Sequence, residues 1–377
     1  MLGTPNVKLE LQPCRSTPHR AMMGLILAAL GGKLPPTLKE ELTQSNPDTL
    51  AQIANNHQVH TIVQSAFTLH PELEKTIPHD LVLYFSLLYS ENARRNKEAK
   101  QELITLGELF HQEGIDAVIL KGGAEIIAPY YQDPAHRFIS DLDILVPESR
   151  VDDAAELLFA RGGVSNTAND ATFEDHHHLP VIEGSVLPFR IELHKRIGDK
   201  IADEILPAHT ILERSLPSGI TGIRLPSPAD RFTHHIIHGQ IESQLYARTL
   251  LNLRTCVDHH YFQRALDAET LTKARQTFDQ HGLLARVDGL DALSHWIFGS
   301  QNEQLSAPSN IWATKAVRNF GRPSTQKHFD SFMWLKTYII RFLMEPKRRR
   351  HYLRKLFSIR GWEQFIAFHK DRLQRFM

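Results

Sequence analysis

Cysteine is nearly missing from this chain: Cys14 and Cys256 stand far apart with no Cys-x-x-Cys spacing, which excludes a disulfide framework and a thiolate zinc site and fits a reducing compartment. No long hydrophobic run is present either. The longest uncharged apolar stretch, 21–32, is a dozen residues, short of the roughly 20 needed to span a bilayer. It follows a polar start rather than a signal-peptide n-region, so the expectation is a cytoplasmic protein with no membrane span. Net charge is absent, with 43 Lys+Arg against 43 Asp+Glu, which excludes a uniformly basic nucleic-acid binder and an acidic solvating chain. The 20 Gly and 20 Pro are spread along the chain without repeat or low-complexity tract, and fibrous and disordered classes fall away.

What is there is a chain of 377 residues, 42% hydrophobic, too long for one ordinary core. Its charge is segregated rather than lacking. Residues 335–377 hold twelve Lys+Arg and three Asp+Glu, a net of +9, leaving the remainder acidic. The 22 histidines invite a metal reading that spacing has to decide.

Periodicity divides the chain into four parts. Residues 1–113 carry apolar positions at helical spacing, including a helix of about thirty residues that opens at Pro78 and ends near Gly114. Its 91–100 stretch is expected to be a solvated face. Residues 114–226 change texture: a buried strand 117–120, a helix 124–131, an alternating strand 141–146, a helix 151–161 closed by Gly162, and strands 179–183 and 189–194 joined at Gly184-Ser185. Residues 227–298 return to helix, opened by Ser227 as cap, Pro228 and Asp230, with further patterns at 245–266, 269–278 and 284–298. Residues 299–377 comprise a Ser-, Asn- and Pro-rich linker, 299–324, a helix at 334–343 and the basic end. The fold class expected is α+β, a mixed sheet with flanking helices, preceded and followed by mostly helical regions.

The chemistry-bearing residues gather in the second part. On a strand, Asp141 and Asp143 project from one face while Leu142, Ile144 and Val146 take the other. The two carboxylates then stand about 6.6 Å apart, a spacing that can hold a pair of hard cations about 3.5–4 Å apart. Oxygen donors suit Mg²⁺ or Mn²⁺ rather than zinc. Strand 117–120 runs into Lys121-Gly122-Gly123; paired glycines let backbone N–H groups approach a phosphate, and the lysine adds positive charge. No P-loop is present, since Gly-Lys-Ser/Thr is missing. In Ile191-Glu192-Leu193-His194 the acid shares a face with the histidine, and pairing with the Asp strand would make Glu192 the third carboxylate. The rival ligands are Glu174 and Asp175, with Glu192 an isolated hairpin acid.

Leu120-Lys121-Gly122, Tyr131 near Asp133-Pro134, Arg137, Ser140-Asp141-Leu142-Asp143 running on to Val146, the histidines 176–178 and Ile191 to His194 together resemble a bacterial family of uncharacterised nucleotidyltransferases within the DNA polymerase beta-like superfamily. The resemblance covers roughly 46–262. It implies a nucleotidyltransferase-type sheet and transfer of an NMP from a nucleoside triphosphate to an acceptor hydroxyl, with release of pyrophosphate. Asp141, Asp143 and Glu192 would be catalytic and would hold Mg²⁺ or Mn²⁺; Lys121, Gly122, Gly123, Arg137 and Ser140 would bind the nucleotide. This chain has Gly-Gly where better-studied members have Gly-Ser, and a longer spacing from there to the Asp pair. The acceptor, whether small molecule, peptide, protein or RNA, is open. The alternatives are a catalytically degenerate copy that only binds, and an RNA-associated protein working through the basic C-terminus, which is also the expected contact for a polyanion.

Two histidine groups compete for attention. Consecutive residues on a strand alternate faces, so at most two of His176, His177 and His178 could share a site, which argues against zinc or iron there. His234 and His238 share one helical face but lack the Glu of a metalloprotease pattern, and a packed or solvent-facing helix is expected.

Overall fold

The computed structural model describes residues 14–165, 176–184, 187–299 and 307–321, all within one compact unit that ends at Gly321. Four helices come first: α1 (Thr17–Ala29), α2 (Leu38–Gln44), α3 (Pro47–Asn56) and α4 (Val63–Leu69). They bury Met22, Leu25, Ile26, Leu50 and Phe67 in a common core. The 34-residue α5 (His79–Gln112) follows and ends ahead of Gly114, which takes a positive φ.

The α/β part then runs β1 (Ala117–Ile119), α6 (Lys121–Ile127), β2 (Asp141–Leu145), α7 (Val151–Ala160), β3 (Ile182–Gly184), β4 (Leu187–His194), α8 (Lys200–Ile205), α9 (Ala208–Arg214), β5 (Leu216–Ile220) and β6 (Ile223–Leu225). The strands form one six-stranded mixed sheet in the order β3-β4-β2-β1-β6-β5. β4 pairs parallel with β2, and β1 pairs antiparallel with β2 and parallel with β6. The α+β class expected from the sequence is the observed one. The hairpin β5–β6 was not expected: Pro217 and Gly219 hide its pattern, and Gly222 turns it. Gly222 has φ +72°, and a Cβ there would meet the Gly107 carbonyl of α5 at 1.9 Å.

Alternation divides the sheet between two cores. Ile119, Leu142, Ile144 and Leu193 pack with Leu103, Leu106 and Phe110 of α5 and Leu158 of α7. Val118, Leu120 and Leu145 face the other way, into the core shared with Phe232, Ile236 and Val257. Leu142 is fully buried, and truncating it to Ala would cost about 2–5 kcal/mol through lost transfer energy and a cavity.

The remaining helices are α10 (Pro228–Ile236), continued by a π-helical turn Ile237–Glu242, then α11 (Leu245–Arg248), α12 (Leu253–Ala265), α13 (Ala268–Gln280), α14 (Leu284–Phe298) and α15 (Ala307–Asn319). Ser227 caps α10 as its sequence indicates, its Oγ accepting from the Asp230 N–H at 3.2 Å. Several boundaries differ from the sequence reading: strand 179–183 begins only at Ile182, and strand 189–194 already at Leu187. Helix 124–131 instead starts at Lys121 and stops before Pro129, whose ring disfavours helix at Ala128. Helix 245–266 is broken because Thr249 is left-handed, φ +53°, and Asn252 opens a new helix by capping the Thr255 N–H. The 299–324 linker contains α15, whose Trp312 stacks on Tyr246 at 5.0 Å while Ala313, Ala316 and Val317 are buried; the apolar spacing outweighs the Ser, Asn and Pro content. The expected helix at 334–343, the basic end and the rival ligands Glu174 and Asp175 lie outside the described residues. Both cysteines are buried and free, and among the described residues no helix is long and apolar enough to cross a membrane.

Candidate active site

The parallel register of β2 and β4 sets Asp143 directly beside Glu192 and Leu145 beside His194, so the hydrophobic-acid-hydrophobic-His run delivers its acid to the Asp strand. Asp143 is only 3% exposed. This face of the sheet is covered, since its Val118, Leu120 and Leu145 share a core with Phe232 and Ile236 of α10. One carboxylate oxygen of Asp143, Oδ1, receives Lys121 Nζ at 2.6 Å and lies 2.9 Å from His194 Nε2. Glu192 Oε2 is 3.5 Å from the same nitrogen. Asp141 is half-buried at the outer end of β2, where the exposed Ser140 donates its Oγ–H to Asp141 Oδ1 at 3.1 Å.

Protonation follows from this geometry. Burial pushes the Asp143 carboxyl up, but Lys121 and the His194 contact outweigh it and hold it well below the usual carboxylate range. Glu192 is lowered chiefly by its contact with His194. Asp141 goes the other way: burial, then the charges of Asp143 and Glu192, raise it. His194 is raised, since its contacts with Asp143 and Glu192 overcome the desolvation that would lower it.

The donor set fits a cation. His194 Nδ1 lies 3.2 Å from the Arg196 carbonyl and so carries a hydrogen, leaving Nε2 aimed at two carboxylates. That nitrogen holds a proton when the site is metal-free and offers a lone pair when a metal replaces it. The ligating atoms of Asp143, Glu192 and His194 all lie within 4.8 Å of one another. Asp141 is outside that group, so the compact set exchanges one of the expected carboxylates for the histidine. The sequence placed His194 on the Glu192 face; its inward aim depends on strand pairing.

Lys121 has φ +46°, a left-handed conformation costly for a side chain with a Cβ and typical of functional positions. The glycines after it have a packing reason of their own. A Cβ on Gly122 would meet Ile139 Cγ2 at 2.5 Å, and one on Gly123 would meet Ile119 Cδ1 at 2.5 Å, so they let α6 lie against the sheet. Arg137 is not at the surface. It is 9% exposed, its Nε lies 3.0 Å from Asp258 Oδ1 of α12, and Tyr131 donates its hydroxyl to the same acid. Asn92 and Asn96, in the stretch expected to be solvated, are buried; both donate to the Arg137 carbonyl at 3.1 Å and fix the loop that carries the guanidinium. Lys121, Arg137, Arg231, His234, His238 and Asp258 line one cleft. Burial, then the Lys121 charge, holds His234 well below its ordinary value and His238 down to about 3. This face of α10 therefore looks into the site rather than out to solvent.

The histidine run also departs from expectation. His176 and His177 lie in a bend, and only His178 bridges to the sheet, opposite His194. Strand alternation does not apply, and the ring nitrogens of all three lie within 4.8 Å of one another. Burial, then the neighbouring imidazoles, pushes His177 down to about 2.

Comparison with known proteins agrees with the motif pattern: a family model described as uncharacterised nucleotidyltransferase matches residues 43–298, more than half of the chain. No curated protein and no solved structure matches it.

Proposed function

The chain belongs to the uncharacterised nucleotidyltransferase family, and on that premise we propose that it moves an NMP from a nucleoside triphosphate to an acceptor hydroxyl, releasing pyrophosphate, with Asp143, Glu192, His194 and Asp141 as the ligands of Mg²⁺ or Mn²⁺. The observation that supports this reading is the side-by-side register of Asp143 and Glu192 on parallel strands, with an imidazole nitrogen and an ammonium turned onto one carboxylate oxygen. A bound divalent metal would neutralise triphosphate charge and lower the pKa of the acceptor hydroxyl. The protein's own groups do the positioning. Lys121 keeps Asp143 ionised and offers Nζ to the phosphates at the Gly122-Gly123 turn. Asp258, the Phe138 carbonyl and the α5 asparagines hold Arg137 in the cleft wall, where it would lend positive charge to the phosphates. Ser140 orients Asp141. The π-helical turn after α10 keeps His238 beside His234 on the cleft, and turns of this kind are frequent at functional sites.

The test is incubation of the purified chain with Mg²⁺, each α-labelled NTP in turn and cell extract. Label should appear in one acceptor fraction together with pyrophosphate, and neither should form with Asp143→Asn. Absence of label and pyrophosphate with every NTP would leave a binding protein of the same fold.

A further inference from the structure

Beside the acid cluster stands a group of side chains that the transferase reading leaves unused. The rings of His176, His177 and His178 lie 4.3–4.7 Å apart centre to centre, and the backbone that carries them is pinned to the end of β4. The His177 carbonyl accepts from the Lys195 and Arg196 N–H groups at 3.0 and 3.1 Å, the Leu179 N–H donates to Leu193 at 2.9 Å, and Arg196 Nη2 reaches the His176 carbonyl at 3.4 Å. The imidazoles are thus held in place before any ligand arrives, which lowers the ordering cost of binding. Orientation adds a second argument. His178 Nδ1 faces the Leu179 carbonyl at 2.5 Å, the backbone contact by which metal-binding histidines are commonly fixed in one tautomer. Its Nε2 is turned toward Glu192, 3.9 Å from Oε2. His177 Nδ1 is buried with no hydrogen-bond partner and lies 3.9 Å from Asp199 Oδ1, which leaves its lone pair open to a cation.

We propose that His176, His177 and His178 form a second metal site, distinct from the Asp143 cluster, that takes a borderline transition cation such as Zn²⁺ and leaves its fourth position to water. Three imidazoles are donors such ions prefer, and Mg²⁺ does not compete for them. A tetrahedral ion with bonds of about 2.0–2.1 Å holds its donors about 3.3 Å apart. One ring nitrogen from each of the three histidines already lies within 4.8 Å of the others, so small side-chain rotations bring the imidazoles to that spacing. The proposal stands without the transferase reading, because it concerns zinc in the absence of nucleotide.

The experiment uses the full chain, free of any histidine tag, in excess Mg²⁺, with Zn²⁺ titrated against a chromophoric chelator and Co²⁺ as a spectroscopic probe. Wild type should bind one equivalent of zinc, melt at a higher temperature when loaded, and give the visible bands of a tetrahedral, nitrogen-rich cobalt centre. His177→Ala, and separately the pair His176→Gln with His178→Gln, should weaken zinc about tenfold or more and lose the cobalt bands. Asp143→Asn should keep zinc affinity within about twofold. Two independent histidine variants keep the test open if one fails to fold, which circular dichroism reports. The proposal is overturned if folded histidine variants bind zinc as wild type does, if Asp143→Asn loses zinc as they do, or if wild type binds none.

Discussion

Two buried aspartates in this molecule meet nearly the same partners in clusters of different make-up. Asp291, on α14, is 5% exposed. It receives His259 Nε2 and Gln263 Nε2 on Oδ1, both at 2.7 Å, and Arg275 on Oδ2, while the other arm of Arg275 holds Asp288. Both Asp291 oxygens have donors, and the residues of the cluster lie on regular helix. Asp143 likewise has a histidine and a cation, but they must also serve Glu192 and Asp141, and the lysine sits on a left-handed backbone. The carboxylate of the first cluster is fully paired. The second sets three acids against one lysine and one histidine, and the Asp141 carboxyl is raised by burial and then by the charges of Asp143 and Glu192. Partners shared among several acids, and a strained backbone at the cation, separate a site that awaits a cation from a structural lock better than the presence of a His-Asp pair does.

The largest effect expected from that difference is on turnover. Asp143→Asn should lower NMP transfer by at least about 10³-fold, equivalent to ~4 kcal/mol in the barrier, with the fold intact by circular dichroism. Asp291→Asn should leave kcat/KM per folded molecule unchanged. Equal losses in the two variants would erase the distinction. Next in size is stability. Asp291→Ala strands Arg275 and His259 without their shared acid and should cost about 3 kcal/mol or more in urea unfolding. Asp143→Asn should cost clearly less, since Lys121 and His194 keep Glu192 and Asp141 within reach.

A smaller effect is expected at Lys121. Lys121→Ala removes a charge and relieves no packing, so triphosphate affinity should fall about tenfold by calorimetry. Unchanged affinity would confine the lysine to its ion pair with Asp143.

The difference between the two clusters also marks how far the sequence could be read. Strands at 117–120, 141–146 and 189–194 were legible because each is a short apolar or alternating run, and Asp141, Asp143 and Glu192 stood out because alternation puts acids on a face by themselves. Lys121 was legible from the glycines after it. His194 as a partner of Asp143 was not, because only the parallel register aims it inward. Asn92 and Asn96 read as polar surface since local pattern cannot show that a loop 40 residues downstream turns its carbonyls toward them. The Asp291 network, spread over α12, α13 and α14, has no local signature at all. The β5–β6 hairpin was lost because its Pro and Gly read as loop, and α15 because its cap-rich start resembled a linker.

The smallest effect, and the one that isolates the surplus charge, concerns Asp141. Its carboxyl is raised by burial and then by Asp143 and Glu192, so the folded state holds a proton on it more tightly than the unfolded chain does. A carboxyl raised in this way contributes stability that is fully present below its unfolded value, about 3.9, and is lost as pH rises through the folded value. At neutral pH the ionised Asp141 is therefore a net cost. Asp143 and Asp291, both lowered, have the opposite sign: their contributions are present above about 3.9 and disappear as pH falls through the folded values. Asp141→Asn should accordingly be more stable than wild type at pH 7 without metal, by about 0.5–1 kcal/mol for a half-buried group, and the gain should vanish near pH 3. Mg²⁺ should reverse the order at pH 7, because the cation stabilises the intact acid set by mass action and gains less from the variant. Chemical denaturation of both proteins at pH 3 and pH 7, with and without Mg²⁺, reads all four values. If Asp141→Asn is destabilised at pH 7 without metal, the cluster has no surplus acid, and the contrast with Asp291 reduces to solvent access.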